Sequence, residues 1–570
     1  MKSARVFIRI NGLVRINGLL RRCASRNDVG GYIAGDPRNN VRFEPEVIRR
    51  CEPVANRHCE PVANRHCEPE GRSNLFCILK LFLLIGGFFF MSCSKEEMIS
   101  VTPVTEMQKL MAEKAFKMPG ENNPIMAHKY GADPAVLEYN DTLYVYSTND
   151  MQQLEFSKGK IDNAYNKITS LNVFCTKDMV NWTDCGEISV AGRNNTTGAA
   201  RWASNSWAPA IAYKKIDGKD KFFLYFADSA NGIGVLIADS PVGPFTDPLG
   251  EALISRKTPT CEKINWLFDP AVIVDENGNG YLYFGGGHDP DKYEHPKNAR
   301  CVALADDMIH IVGEPQMIDA PFLFEDSGIN KIGDTWYYTY CTNWADRKDT
   351  KDPDKMPIAV IGYMTSKNPL GPFEYRGYTL ENPGTVFGAW GNNHHWIFSF
   401  RGKWYIAYHT QVLEKTVGCE KGGYRNVFID NFEVNADGSL PNQKMTKKGV
   451  EQLCNFRLGE EVPAATFASS RNVAVTNKQS LVSVKDGAYV CIKGVEFTGK
   501  ESEFSVTCVP VDGKEIKVQL DNFGGNGTEI AEVKLGKKSV VSAKITPTSG
   551  VHDLYIILPE GCELVSWVIK

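Results

Sequence analysis

Three carboxylates and an imidazole stand at matched places along the chain. Asp133 lies in GADPAVLEYNDTLYVYST, Asp269 in LFDPAVIVDENGNGYLYFGG, Glu325 in FEDSGINKIGDTWYYTYC and His394 in NHHWIFSFRGKWYIAYHT. Each precedes an apolar run, a turn and a tyrosine-bearing run. Asp133 to Tyr144 is eleven residues, Asp269 to Tyr281 twelve, Glu325 to Tyr337 twelve, and His394 to Tyr405 eleven. Two carboxyl groups facing each other across a pocket can cleave a glycosidic bond. One protonates the leaving oxygen while the other activates water, and the inverting geometry sets them about 6.5–9.5 Å apart. The acid must stay protonated near neutrality, which burial or a neighbouring like charge achieves. A third carboxylate beside it supplies that charge. Any one Asp-Pro is more often a turn or a strand-edge cap than a base. Three carboxylates in register carry more weight, because charges gathered near one axis are costly without a use.

The elements that must position them are hairpins. Apolar and aromatic runs around an Asn/Gly turn form hairpins because these residues accept the positive φ of tight turns. A fifth copy, WAPAIAYKKIDGKDKFFLYFAD, has Ala208-Pro209 where others have Asp-Pro. Its Trp207 is either a platform for a sugar face or packing within the blade. Five hairpins about 55–80 residues apart predict a five-bladed β-propeller. The first strand of each blade lines the axis, so Asp133, Asp269, Glu325 and His394 converge on one cavity. Between the hairpins lie outer strand pairs, two of which share a Pro-Gly turn before an aromatic residue, at Pro241 to Phe245 and Pro369 to Phe373. Arg425 to Phe432 supplies a strand that closes the ring.

The chain is all-β beyond the propeller as well. Residues 459–570 alternate with period two and carry turns every 8–12 residues, the signature of a β-sandwich of jelly-roll type. Residues 122–450 form the propeller and 94–121 a short tether, partly helical around Met107 to Phe116. Residues 1–74 repeat RINGLV/RINGLL and CEPVANRH and are rich in arginine. They read as upstream sequence translated through a wrong start, or as a disordered leader. Residues 75–93 read as a signal peptide: the apolar run Leu81 to Met91 is too short to span a bilayer. Phe90-Met91-Ser92-Cys93 resembles a lipobox, with Cys93 acylated as the mature amino terminus. The protein is therefore expected at the outer membrane or cell surface, or in the periplasm, of a Gram-negative bacterium, touching membrane through a lipid anchor only. Ten cysteines follow Cys93, and export permits some to pair. With 570 residues, 43% hydrophobic, and a net charge of −4, the chain can build more than one core and lacks the basic balance of a nucleic-acid binder.

ADPAV at Asp133, WAPAI at Trp207, FDPAV at Asp269, FEDS at Glu325, and NHHW followed by GKWYIAYH resemble glycoside hydrolase family 43. The resemblance covers about residues 122–450 and implies a five-bladed propeller and inversion. Asp133 would be the general base, Glu325 the general acid, and Asp269 the carboxylate that tunes the acid. It also implies substrate contacts from Arg425, Trp207 and Phe268. No cofactor is required for the chemistry; a structural calcium ion is implied near the axis, with His394 close by, through water. Trp396 departs from the family's small residue at that place, and Asp326 beside the acid is also less usual. The sandwich resembles a family 6 carbohydrate-binding module without the expected tryptophan; Tyr489 keeps one aromatic position. The implied activity is removal of α-L-arabinofuranosyl groups from arabinoxylan or related plant cell-wall polysaccharide. Cleavage of β-1,4-xylosyl units, in xylan or its oligosaccharides, is the near alternative. A non-catalytic surface glycan-binding propeller is the alternative of another class.

Overall fold

The computed structural model describes residues 100–348, 350, 356–419 and 421–570. The repetitive leader, the apolar segment and Cys93 lie outside them. Five separate antiparallel sheets follow one another along the chain, and each is a blade. Blade one comprises Ala132–Tyr139, Thr142–Thr148, Ser170–Thr176 and Trp182–Ser189. Blade two comprises Trp207–Ile216, Lys219–Ala227, Gly232–Ala238 and Ile254–Ser255. Blade three comprises Ala271–Val274, Gly280–Phe284, Ala299–Leu304 and Ile311–Ile318. Blade four comprises Leu323–Ile332, Thr335–Thr342, Ile361–Ser366 and Glu374–Leu380. Blade five comprises His395–Phe400, Lys403–Thr410 and Asn426–Asn431.

The inner hairpins turn as their sequences require. Asn140-Asp141, Asp217-Gly218 and Arg401-Gly402 each have two consecutive positive φ angles, the backbone of the two-residue turn whose twist matches the flanking strands. In blade three the turn is longer, and the Asp275 carboxylate accepts the backbone N–H groups of Asn277 and Asn279.

Asn426–Asn431 is the third strand of blade five and does not close the ring alone. The amino-terminal segment of the propeller runs beside it. Ile125 N–H donates to Val427 O at 3.0 Å and Gly131 N–H to Arg425 O at 2.8 Å, while Asn123 Oδ1 accepts from Ile429 N–H at 2.8 Å. The two ends of the propeller thus meet in one blade. Helix Glu106–Lys114, capped by Thr105 with Gln108 reciprocating, lies in the segment read as a tether. Its Met111 and Ala112 are buried, and Ala112 O accepts the backbone N–H of Asn472 in the sandwich.

The carboxyl-terminal part is two packed sheets. One contains Ala488–Thr498, Ser549–Leu558, Glu515–Leu520 and Thr528–Lys534; the other contains Leu481–Ser483, Glu563–Ile569, Glu503–Cys508 and Val540–Lys544. Val490, Val518 and Ile556 from one sheet meet Val506, Leu564 and Trp567 from the other in a single apolar core. That core continues into blade one through Phe467, Trp182 and Phe174. The seam is also hydrogen-bonded, because Thr466–Phe467 pairs with Trp182–Thr183 on the outermost strand of blade one.

Trp396 has a special place. It packs against three separate apolar clusters, belonging to blades one and five with the sandwich, to blades one and two, and to blades two and three. Contact with so many blade interfaces is what a residue near the propeller axis makes.

Candidate active site

Each axial carboxylate is presented by the same backbone irregularity. The register between the first two strands slips after Ala132 in blade one and after Trp207 in blade two, and resumes at Ala135↔Tyr146 and Ala210↔Tyr225. In blade three pairing begins at Ala271↔Tyr283, and in blade four it resumes at Gly328↔Thr339. Two residues before each resumption the backbone is left-handed: φ is 50° at Asp133, 40° at Ala208, 48° at Asp269 and 66° at Asp326. Such a bulge re-aims a side chain toward the axis, and aspartate tolerates this conformation better than most residues.

This geometry corrects one expectation. Glu325 does not share the position of Asp133 and Asp269; Asp326 does. Glu325 pairs with Cys341 just as Trp207 pairs with Ala227 and Ala132 with Thr148, so it occupies the position of Trp207. The spacing misled because the blade-three turn adds one residue. Tyr144 pairs with Leu137, Tyr281 with Ile273 and Tyr337 with Asn330. Each partner lies four residues beyond Asp133, Asp269 and Asp326, respectively.

The four acids nevertheless gather in one buried site. Asp133, Asp269, Glu325 and Asp326 are 5%, 6%, 8% and 0% exposed. Asp133 is surrounded by donors. Arg425 Nη1 donates to its Oδ1 at 2.9 Å and Thr148 Oγ1 to its Oδ2 at 2.7 Å. The Asp133 N–H donates to His409 Nδ1 at 3.1 Å, leaving His409 Nε2 to meet Asn392 O at 2.9 Å. Arg425 is itself fixed by Asp150, at the start of helix Asp150–Ser157. Its Nε and Nη2 donate to the two carboxylate oxygens at 2.9 Å each. The guanidinium also lies 4.9 Å from the ring centre of Tyr165.

Asp269 Oδ2 accepts the backbone N–H of Asp326 at 3.0 Å. Asp326 in turn holds two histidines. Its Oδ2 meets His395 Nδ1 at 2.5 Å, and His395 Nε2 meets Thr339 Oγ1 at 2.7 Å. Its Oδ1 lies 3.1 Å from His394 Nε2, while His394 Nδ1 is 3.5 Å from Asp133 Oδ1 and 3.8 Å from Asp269 Oδ2. Gly286 is required beside Glu325, because a Cβ there would stand 2.4 Å from Phe324 O and 3.3 Å from Glu325 Cα.

The acids are driven to opposite protonation states. Burial favours a neutral Asp133, but Arg425, then His394 and His409, override it and hold the carboxyl far below the usual range. Burial pushes Glu325 well above the usual range, and the charges of Asp269, Asp133 and Asp326 push it the same way against Arg425. Asp269 is likewise raised well above the usual range, by burial and by Asp133 against the Asp326 N–H that favours its ionised form, so ionisation of either Asp269 or Glu325 holds the proton on the other. Burial lowers His394 in spite of the acids around it. Burial also pushes the Tyr165 hydroxyl up to about 12, against the pull of Arg425. One site therefore pairs a carboxyl group that favours its ionised form with another that favours its proton, the division of labour that acid–base cleavage requires.

The residues read as sugar contacts are distributed around this centre. Trp207 is half-buried, with its Nε1–H donating to Tyr165 O at 2.9 Å and its ring edge-on to Tyr165. Phe268 is buried beneath Trp266, whose more accessible ring contacts both Phe268 and Phe324. Arg425 spends three N–H groups on Asp133 and Asp150. The sequence reading did not single out Asp150, Thr148, Tyr165 or His409. Thr148 is the last residue and His409 the last but one of the second strands of their hairpins, at the same end as the bulges, a signal that strand register alone supplies.

The donor chemistry around His394 suits calcium in one respect: Asp133, Asp269 and Asp326 offer oxygen, which this cation prefers. However, no group of three or more His, Cys, Asp or Glu side chains among the described residues is arranged to hold a metal ion. Direct coordination does not fit the residues as they stand.

Comparison with known proteins agrees with this architecture. The family model "Glycosyl hydrolases family 43" matches residues 121–440. An "Arabinoxylan arabinofuranohydrolase" of Paenibacillus polymyxa is 40% identical over 465 residues, covering 77% of this chain and 72% of that one. One of Bacillus subtilis (strain 168) is 41% identical over 462 residues, covering 77% and 89%. A crystal structure of a glycoside hydrolase family 43 arabinoxylan arabinofuranohydrolase from Bacillus subtilis, in complex with cellotetraose, superposes with a TM-score of 0.76 at 39% identity. It covers 81% of this chain and 99% of that chain. The family model spans the propeller that carries the acids, and the protein is a glycosidase belonging to glycosyl hydrolase family 43.

Proposed function

We propose that the protein removes α-L-arabinofuranosyl groups from arabinoxylan-type plant polysaccharide by inverting hydrolysis. The observation that carries this reading is the pairing in one buried enclosure of Asp133, fixed by Arg425 and Thr148, with Glu325, whose Oε1 has no hydrogen-bond partner among the described residues. The substrate class is supported by the names of the two relatives with about 40% identity. Asp133, ionised and fixed by Arg425 and Thr148, takes a proton from water as that water attacks the anomeric carbon. Glu325, protonated, gives its proton to the departing oxygen of the polysaccharide. Its Oε1 is buried and has no hydrogen-bond partner among the described residues, so it is free to meet that oxygen. Asp269 raises the acid's affinity for its proton and steadies the peptide after it. The water's oxygen ends on the sugar with inverted configuration, and the base's proton passes to solvent.

Trp207 and Trp266 have accessible ring area for apolar sugar faces, whereas Phe268 supports Trp266 from below. Arg425 acts chiefly through Asp133. A calcium ion bridged to His394 by water remains part of the proposal; calcium addition would then raise the melting midpoint and a chelator reverse it. In the sandwich, Tyr489, Phe523 and Tyr555 form a cluster, with Tyr489 and Phe523 stacked at 4.3 Å. This supports a carbohydrate-binding role for that domain. Export with acylation at Cys93 completes the proposal; metabolic labelling with a palmitate analogue tests it, and Cys93→Ala should abolish the label.

The deciding experiment compares nitrophenyl α-L-arabinofuranoside, nitrophenyl β-D-xyloside and arabinoxylan, with wild type and Glu325→Ala, following the first-formed anomer by NMR. Arabinose release with inversion, lost in Glu325→Ala, supports the reading. Preferential xylose release moves the assignment to a xylosidase, and retention of configuration overturns the mechanism.

A further inference from the structure

Cys175 is the last residue but one of the third strand of blade one, and Cys185 lies on the fourth. Their sulfurs approach to 2.8 Å, with the Cys185 thiol donating to Cys175 Sγ. Cys175 is opposite Thr183 in the register, so Cys185 is its diagonal neighbour, two residues along the facing strand. A sulfur–sulfur bond is about 2.05 Å, and closure therefore asks for less than about 1 Å of movement. The other eight described cysteines differ: six are buried, Cys419 is half-buried and Cys454 is exposed. No second sulfur–sulfur hydrogen bond occurs among the described residues.

We propose that Cys175 and Cys185 are a disulfide-forming site, a covalent staple across the outer edge of blade one. Its oxidant is a small-molecule or protein disulfide. Both thiols are half-buried at the blade surface, so such a reagent has access. The hydrogen bond from Cys185 lowers the Cys175 pKa more than burial raises it, making Cys175 the attacking thiolate. It attacks one sulfur of the incoming disulfide, forming a mixed disulfide and expelling one thiolate. Cys185, deprotonated as it reacts, then attacks Cys175 Sγ and expels the second. Two electrons pass from the protein to the reagent, and the two protein thiol protons end on the two released thiols.

The location gives the staple a structural role. The strand carrying Cys185 is the one on which the sandwich docks. Asp184 N–H donates to Ala465 O at 3.0 Å, and Thr183 Oγ1 meets Thr466 Oγ1 at 2.8 Å. Gly186 approaches Gln479, in a sandwich turn, so closely that a Cβ would lie 2.8 Å from its amide nitrogen. A cross-link there ties the docking strand to its neighbour within the blade. It lies away from the axial acids and does not touch them.

The test is made on purified protein and does not depend on where the protein resides. The folded chain is incubated with oxidised glutathione, alkylated with iodoacetamide and digested with trypsin. The expected result is recovery of peptides 168–177 and 178–193 as one linked species lighter by two hydrogen atoms. A rise of a few degrees in the melting midpoint accompanies it and is absent from a Cys175→Ser/Cys185→Ser variant of unchanged activity. Recovery of the two peptides unlinked, each alkylated or carrying its own glutathione, overturns the proposal. So does a link from either cysteine to a different one.

Discussion

The backbone N–H of Asp326 points at Asp269, reaching its Oδ2 at 3.0 Å. A carboxylate from blade three thereby anchors the peptide that follows Glu325 in blade four. The contact couples two properties of the acid, its position and its proton affinity, to one neighbouring side chain.

Asp269→Asn separates the two. The amide oxygen still accepts the Asp326 N–H, but the side chain can no longer take on a negative charge. Activity requires protonated Glu325, so it falls as pH rises through that group's raised pKa. Removing a charge that raises it must move the alkaline limb of the kcat/KM profile to lower pH. The variant should also lose about 10²-fold in kcat at neutral pH. An alkaline limb that stays in place would falsify the coupling.

Glu325→Gln should stabilise the fold. A carboxyl whose folded pKa exceeds its unfolded value near 4.3 binds more protons when folded, so its contribution to stability declines as pH rises between the two values. Glutamine escapes that decline. Thermal melts at several pH values should show a gain that is negligible below about pH 4 and grows toward neutrality. A uniform gain, or a loss at neutral pH, would mean that burial of Glu325 is not the cost described here.

Arg425→Leu should do the reverse. It leaves Asp133 and Asp150 as buried carboxylates without their cation, which costs about 3–5 kcal/mol. Asp133 also loses the chief influence holding its pKa down, so the acidic limb of kcat/KM should move to higher pH. Asp150→Asn should shift that limb less, because Arg425 Nη1 still reaches Asp133. Urea melts and pH profiles of both variants check the order of the effects; equal shifts in the two would count against it.

Much of the fold was legible because hairpins are local. Asn140-Asp141 and Arg401-Gly402 announce their turns in the sequence, and the alternation around them sets the strands. The acids Asp133 and Asp269 were legible for the same reason, since Asp-Pro before an apolar run marks the bulge. Asp326 was obscured because its bulge is followed by serine instead of proline, and because the longer blade-three turn made Glu325 count as its equivalent. Asp150, Tyr165 and His409 reach the site from a helix start, a loop and a strand end whose direction is decided by packing between blades. The docking of helix Glu106–Lys114 and the meeting of Cys175 with Cys185 likewise depend on contacts that no repeat in the sequence encodes.

Trp396→Ala should lower stability toward the smaller end of the about 3–5 kcal/mol typical of removing a packed aromatic, because the ring is only half-buried. A melt indistinguishable from wild type would show that it is not wedged between the blades.

The backbone of the same tryptophan follows directly on His394 and His395, while its ring rests on three apolar clusters, one of which runs on into the sandwich. A disturbance of that distant core is therefore within two residues of the imidazoles that meet Asp326.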